Sequence, residues 1–307
     1  MNRALARAAV LALAILGACG CSPAAPPPSQ GAGAPKTLAF SILSAEDQAA
    51  YEPLWRPLLD DLSKAVGVPV RPYFSSNYGA LVQAMRFNQV QLGWFSAEPA
   101  LETVDRAQGE VLARTADLRR QDTYTSLVVV RRGSGLSLDR ILKCDRTINF
   151  GMGDPNSTSG TLAPMAFLFR PRHIDPSACF KTVRSASHDA NLFAVTNGLL
   201  GAATMNSVTL DFARDGDAAN KRAFEQAQVV WTSPRLPESA IVYRKDLAPD
   251  LKAKIRAFFL AYGKAPGAEG ERQRQIMAKL HYSEFRPADD SYLAPIRALR
   301  TAAGAGR

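Results

Sequence analysis

Histidine and cysteine are scarce in this sequence, three and four among 307 residues. His173, His188 and His281 are scattered, and no HExxH or CxxC pair occurs. A metal centre therefore has no ligand cluster to build on. Four cysteines are also too few for a small disulfide scaffold. The Gly-Lys-Ser/Thr of a P-loop, the GxGxxG of a dinucleotide fold and the GxSxG of a nucleophile elbow are all absent. No apolar run past the N-terminus reaches the ~20 residues of a membrane-spanning helix. What is present is 47% hydrophobic and 8% aromatic. That composition excludes disorder and a collagen-like fibre, and the length suggests two domains. The formal net charge of +9 is compatible with nucleic acid, a membrane surface or an anionic ligand, and does not choose among them.

The N-terminus gives a place. Arg3 and Arg7 precede an apolar run from Ala8 to Leu16, the n- and h-regions of a secretory signal. Leu16-Gly17-Ala18-Cys19 looks like a bacterial lipoprotein box, which implies cleavage after residue 18 and lipidation of Cys19. Cys21 is the weaker candidate, with Ala18 rather than an aliphatic residue three before it. Residues 19–36 then read as a lipidated Pro/Ala/Gly tether that cannot build a core. Loss of Arg3 and Arg7 leaves 35 basic against 28 acidic side chains, or +7. An exported chain permits a disulfide, and Cys144 and Cys179, each just upstream of a predicted strand, are read as a bridge.

Hydrophobic periodicity organises the rest. A β-rich run at Thr37–Leu43 precedes a helical pattern over Glu46–Gly67, with Tyr51, Trp55, Leu58, Leu59, Leu62 and Val66 on one face. Strand, helix, strand and helix follow through residue 108, which predicts a parallel sheet covered by helices. A second set begins near Thr125–Arg132 and runs through a strand at Thr147–Gly151 and a helix at Ser159–Phe169. The last third reads as helical. The pattern predicts an α/β protein of two lobes, residues 37–124 plus 243–307 and residues 125–242, with a ligand cleft between them.

The segment richest in chemistry is Gly153-Asp154-Pro155-Asn156-Ser157-Thr158-Ser159-Gly160. It follows a strand and opens the apolar helix, so its hydroxyls sit where free N–H groups and the helix dipole favour an anion. One hydroxyl satisfies an N-cap. Three in a row suit a tetrahedral oxyanion.

The same segment resembles the signature of the phosphonate/phosphite/phosphate-binding proteins of ABC transporters. Further matching pieces stand in family order: Tyr78 in SSNYGALVQAMRF, Trp94 in LGWF, His188 in SHDANLFAV, Asn206 in AATMNS, Ser233-Pro234 before LPESAIVYRKDL, and the closing FRPADDSYLAPIRAL. The likeness covers most of residues 37–300. It implies a type II periplasmic binding fold, no catalysis and no cofactor. It also implies that Ser157, Thr158 and Ser159 hold phosphorus-bound oxygens, with Tyr78 and His188 as donors. Relatives that bind aminoethylphosphonate carry a second tyrosine where this chain has Phe95. Their two carboxylates align with Val208 and Ser239. An ammonium tail then lacks its partner unless the neighbouring Glu238 supplies one. Trp94, Phe95 and Val208 are expected to form an apolar wall suited to a P–H or P–CH3 group, so phosphite or methylphosphonate is expected ahead of phosphate.

The partners implied are that small oxyanion and an ABC permease with its ATPase, with the membrane met only through the lipid anchor. The chain is expected to be a monomer without nucleic-acid or metal partners. A sensor subunit for a histidine kinase is the alternative within the same fold. A hydrolase built on Ser157 or Ser159, His188 and Asp154 or Asp189 is the remote one.

Overall fold

A computed structural model describes residues 36–45, 48–75 and 77–304. The signal segment, Cys19 and the tether up to residue 35 lie outside the described residues. No described helix is long and apolar enough to cross a membrane.

The strands in chain order are β1 (Leu38–Leu43), β2 (Val70–Ser75), β3 (Leu92–Phe95), β4 (Gly109–Asp117), β5 (Thr123–Tyr124), β6 (Ser126–Arg131), β7 (Asn149–Met152), β8 (Thr182–Ser185), β9 (Ala202–Asn206), β10 (Ala227–Thr232), β11 (Leu236–Pro237), β12 (Ala240–Arg244) and β13 (Tyr282–Pro287). They form a six-stranded sheet in the order β13-β4-β12-β3-β1-β2 and a five-stranded sheet in the order β10-β6-β9-β7-β8. The chain passes from one sheet to the other through β5 and returns through β11, and these two short strands pair antiparallel.

Each sheet is mixed, where the βαβ alternation led us to expect a parallel one. β2-β1-β3 and β9-β7-β8 are parallel, as helical crossovers require. β12 re-enters from the other sheet with no helical crossover, so it runs antiparallel to both β3 and β4. Such a strand announces itself only through topology.

The first sheet packs on the helix Gln48–Val66, whose Trp55, Leu58, Leu59 and Leu62 are buried at the expected helical spacing. Phe40, Trp55, Phe259 and Phe285 join in this core through successive ring contacts. The second core stacks Phe150 on Phe180 at 4.2 Å and sets Phe169 edge-on to both. Cys144 and Cys179 are bonded beside it, closing a separation of 35 residues.

Candidate functional site

The cradle segment starts from two glycines. A Cβ on Gly153 would lie 2.6 Å from Cα of Gly160, and the reverse holds equally. Any side chain at either position would therefore push the loop open. The Gly153 N–H donates to the Gly160 carbonyl at 3.0 Å and closes the turn. Asp154 braces it, Oδ1 accepting from the Asn156 N–H at 2.8 Å and Oδ2 from the Tyr78 N–H at 3.2 Å. The helix that follows is wound wide, as π-helix over Thr158–Leu162 and again over Met165–Phe169. Pro164 lies between the two stretches and brings no N–H. The carbonyls four and five residues before it accept from outside the helix instead. Gly160 O takes Thr204 Oγ1 at 2.6 Å, and Ser159 O takes Ser126 Oγ at 2.6 Å. These two bonds fasten the helix start to β9 and β6.

The three hydroxyls divide their work. Ser157 Oγ accepts from the Gly160 N–H at 2.9 Å, an ordinary N-cap, and its residue also lines the cavity. Ser159 lines the cavity as well. Thr158 does not. Its Oγ1 accepts from the Glu98 N–H at 2.8 Å and donates to Ser96 Oγ at 3.2 Å. Ser96 is the N-cap of the helix Ala97–Arg106 yet makes no side-chain cap bond. Thr158 therefore caps that helix from across the junction of the two sheets.

The cavity so framed is small, about 30 Å³. Of the residues singled out in the sequence, Tyr78, Trp94, Ser157, Ser159, His188, Asn206, Val208 and Ser239 all line it. Phe95 and Thr158 do not. Successive residues of a strand face opposite ways, so β3 can present only one of Trp94 and Phe95 to the cavity. Phe95 is wholly buried on the other face, beside Gly93. Sequence reasoning missed Leu43, Ala45, Tyr51, Ser96, Tyr124 and Tyr282, which with Glu238, named there only as a substitute acid for an ammonium tail, complete the lining. Ser96 alone carried a signal, as the N-cap position after LGWF. Tyr124 and Tyr282 arrive through the pairing of distant strands.

Among the described residues no lysine or arginine lines this cavity. Helix N-termini take their place: the helices beginning at Tyr78, Ala97, Thr158, His188 and Ser207 all start at its wall. First-turn N–H groups and the dipole make each such end attractive to an anion. Asn206 Oδ1 caps its own helix by accepting from the Thr209 N–H at 2.6 Å, which leaves the NH2 end as its donor. The His188 N–H bonds Ala45 O at 3.0 Å, while its ring is buried with Nδ1 unpartnered. Burial holds that imidazole down to about 4, and no carboxylate contributes. The geometry offers His188 as a neutral donor, and among the described residues no carboxylate orients it as in a hydrolytic triad. No group of side chains among the described residues forms a metal site.

Glu238 is the surprise. It is 3% exposed, and Oε2 accepts from Thr115 Oγ1 at 3.2 Å and from the Ser239 N–H at 2.9 Å. Oε1 has no partner. Burial pushes this carboxyl up to about 7. Glu238 also lines a wider neighbouring cavity of about 510 Å³, along with Tyr124, Val208 and Tyr282.

Comparison with known proteins agrees with this geometry. The family of ABC transporter periplasmic substrate-binding proteins for phosphonate matches residues 40–293. The phosphonates-binding periplasmic protein of Escherichia coli K12 is 37% identical over 265 residues, 86% of this chain and 76% of that one. A binding-protein component of an ABC phosphonate transporter from Pseudomonas aeruginosa superposes with a TM-score of 0.82 at 34% identity, covering 87% and 86% of the two chains. A Prochlorococcus marinus protein solved with methylphosphonate shares the fold, with a TM-score of 0.74 at 22% identity over 87% of this chain and 97% of its own.

Proposed function

This chain belongs to the family of periplasmic phosphonate-binding proteins of ABC transporters, and from that premise we propose that it captures phosphite or methylphosphonate ahead of phosphate for delivery to a permease and its ATPase. It has the type II periplasmic binding fold, and the family binds solutes rather than catalysing a reaction.

The observation that carries the ligand reading is the small cavity itself. It offers an anion neutral donors, Ser157, Ser159 and His188 among them, while Leu43, Ala45 and Val208 add apolar side chains to the lining beside Trp94, whose indole N–H has no partner. Three phosphorus-bound oxygens find donors there, and a P–H or P–CH3 group meets the apolar side chains. The fourth oxygen of phosphate is left facing carbon. Phe95 takes no part in this wall, so the preference rests on Leu43, Ala45 and Val208. Among the described residues an aminoethyl tail has Glu238 as its one acidic partner in the lining. β5 and β11 serve as the hinge, and a ligand touching both sides holds the closed form that a permease recognises. Cys19 tethers this soluble body to the membrane.

Calorimetric titration with phosphite, methylphosphonate and phosphate tests the reading. The first two are expected to bind more tightly. Phosphate binding as tightly as both removes the preference, and no binding by any of the three removes the function. Ser159→Ala and His188→Ala should each cost about 1.5–3 kcal/mol of affinity, the worth of a hydrogen bond to a charged oxygen.

A further inference from the structure

A dianion in this cavity poses a charge problem. Among the described residues no lysine or arginine lines it, and helix N-termini supply only partial positive charge. Glu238, on the same wall, would add a negative charge if it stayed ionised. Its surroundings offer no relief. β4 contributes Thr115 and Asp117, whose charge pushes in the same direction as burial. Tyr124 from β5 and Tyr282 from β13 are buried phenols that feel the Glu238 charge. Tyr292, from the turn Asp290–Leu293, donates to the Glu238 carbonyl at 3.1 Å. Arg119, Arg214, Arg235 and His281 line the neighbouring cavity, which Glu238 also borders, and Arg214 pairs with Asp211 at 2.6 Å. Arg119 pairs with Asp117 at 3.1 Å, and Arg235 bonds Gln121 and Thr123. Among the described residues no cation acts on the carboxyl, and Oε1 is left with no donor.

We propose that Glu238 is a specificity-determining residue that meets the ligand as a neutral carboxylic acid, Oε1–H donating to a phosphorus-bound oxygen, so that capture of a dianion takes up one proton from solvent. The proposal rests on the reading of the cavity as a phosphorus-oxyanion site. Two acids facing each other with one shared proton replace a repulsion by a charge-assisted hydrogen bond. Without ligand the carboxyl already sits at about 7, and an adjacent dianion moves it further the same way. His188 is favoured by the dianion in the same sense but starts from about 4, so Glu238 takes the proton first. The site then sorts ligands by whether they can share a proton, which a carbon-lined wall alone does not do.

Calorimetry of the full chain with methylphosphonate, at about pH 8.5 in buffers of different ionisation enthalpy, counts the protons directly. The expected result is close to one proton taken up per ligand, with affinity falling about tenfold per pH unit above about pH 8. Glu238→Gln keeps a donor but needs no proton, so its uptake should drop to near zero and its affinity should flatten with pH. Zero uptake by the unaltered chain overturns the proposal. So does full uptake retained by Glu238→Gln, which would move the proton to another group. If that variant fails to fold, the buffer series on the unaltered chain decides alone. Absence of any heat with phosphite, methylphosphonate and phosphate would instead overturn the site reading on which the proposal rests.

Discussion

Glu98 and Glu238 are both buried acids where the two sheets meet, and they have opposite neighbours. Glu98 Oε1 is bonded by Arg300 at 2.9 Å, and Arg300 also reaches Asp105 at 3.3 Å. Burial still pushes the Glu98 carboxyl up, against the pull of Arg300. Glu238 has hydroxyls and a backbone N–H but no cation. A buried acid with its own arginine is committed to the fold. One without a cation remains answerable to whatever enters beside it. The two glutamates accordingly line different spaces. Glu98 shares a cavity with Arg106, Arg170 and Arg300 behind the cradle, and Glu238 faces the cradle's hydroxyls.

The largest effect expected from breaking this contrast is on the paired acid. Arg300→Met leaves Glu98 buried without its cation, a change that costs about 3–5 kcal/mol when the pair is fully enclosed. Both side chains keep some solvent contact, so the low end, about 3 kcal/mol, is expected. Urea unfolding measures it. A loss below about 1 kcal/mol would mean that Glu98 does not depend on Arg300 and would dissolve the comparison.

The unpaired acid should give a pH-dependent effect of the opposite sign. The folded chain holds a proton on Glu238 up to about 7, whereas an unfolded glutamate releases it near 4.5. Between those values the folded state binds more protons, so this residue lowers stability as pH rises, by roughly 3 kcal/mol once both are passed. His188 works the other way. Its folded value of about 4 lies below the ordinary 6.5, so its contribution is lost as pH falls through that window. The two slopes oppose each other through the shared window in the native chain. Glu238→Gln should unmask the histidine slope below about pH 6.5 and be more stable than the native chain by up to roughly 3 kcal/mol above pH 7. Equal stability of the two at pH 8 would show that the buried carboxylate carries no penalty.

The glutamates also mark the limit of what the sequence discloses. The Gly153–Gly160 segment is legible because its chemistry is local: two glycines that touch, a capping serine and a helix start lie within eight consecutive residues. Tyr78 and His188 are legible because each opens a helix. Trp94 and Phe95 were read together although strand alternation already forbids both from facing one cavity. Tyr124 and Tyr282 were beyond reach, since β5 pairs with β11 and β13 with β4 between residues more than 100 positions apart, and Glu238 was legible only as a neighbour of Ser239. The likeness to phosphonate-binding proteins supplied the fold and the anion. It placed an ammonium-binding acid at Val208 and Ser239, where this chain has none, and so pointed to the neighbouring Glu238 only as a substitute partner for an ammonium.

The smallest expected effect separates the fold's acid from the ligand's by way of Thr158. Its hydroxyl accepts the Glu98 N–H from across the sheet junction, and the cavity wall does not include it. If the halves open about β5 and β11, this bond exists only when they are closed. Thr158→Val should then leave the unfolding of the unliganded chain within about 0.5 kcal/mol of native. It should weaken ligand binding about fivefold, the worth of about 1 kcal/mol for one neutral hydrogen bond. A residue gripping a phosphorus-bound oxygen would lose ten- to a hundredfold or more, as expected for Ser159→Ala. The same titration series distinguishes the two. A fivefold loss assigns Thr158 to closure through Glu98, and a loss equal to that of Ser159→Ala returns it to the set of three hydroxyls on the ligand.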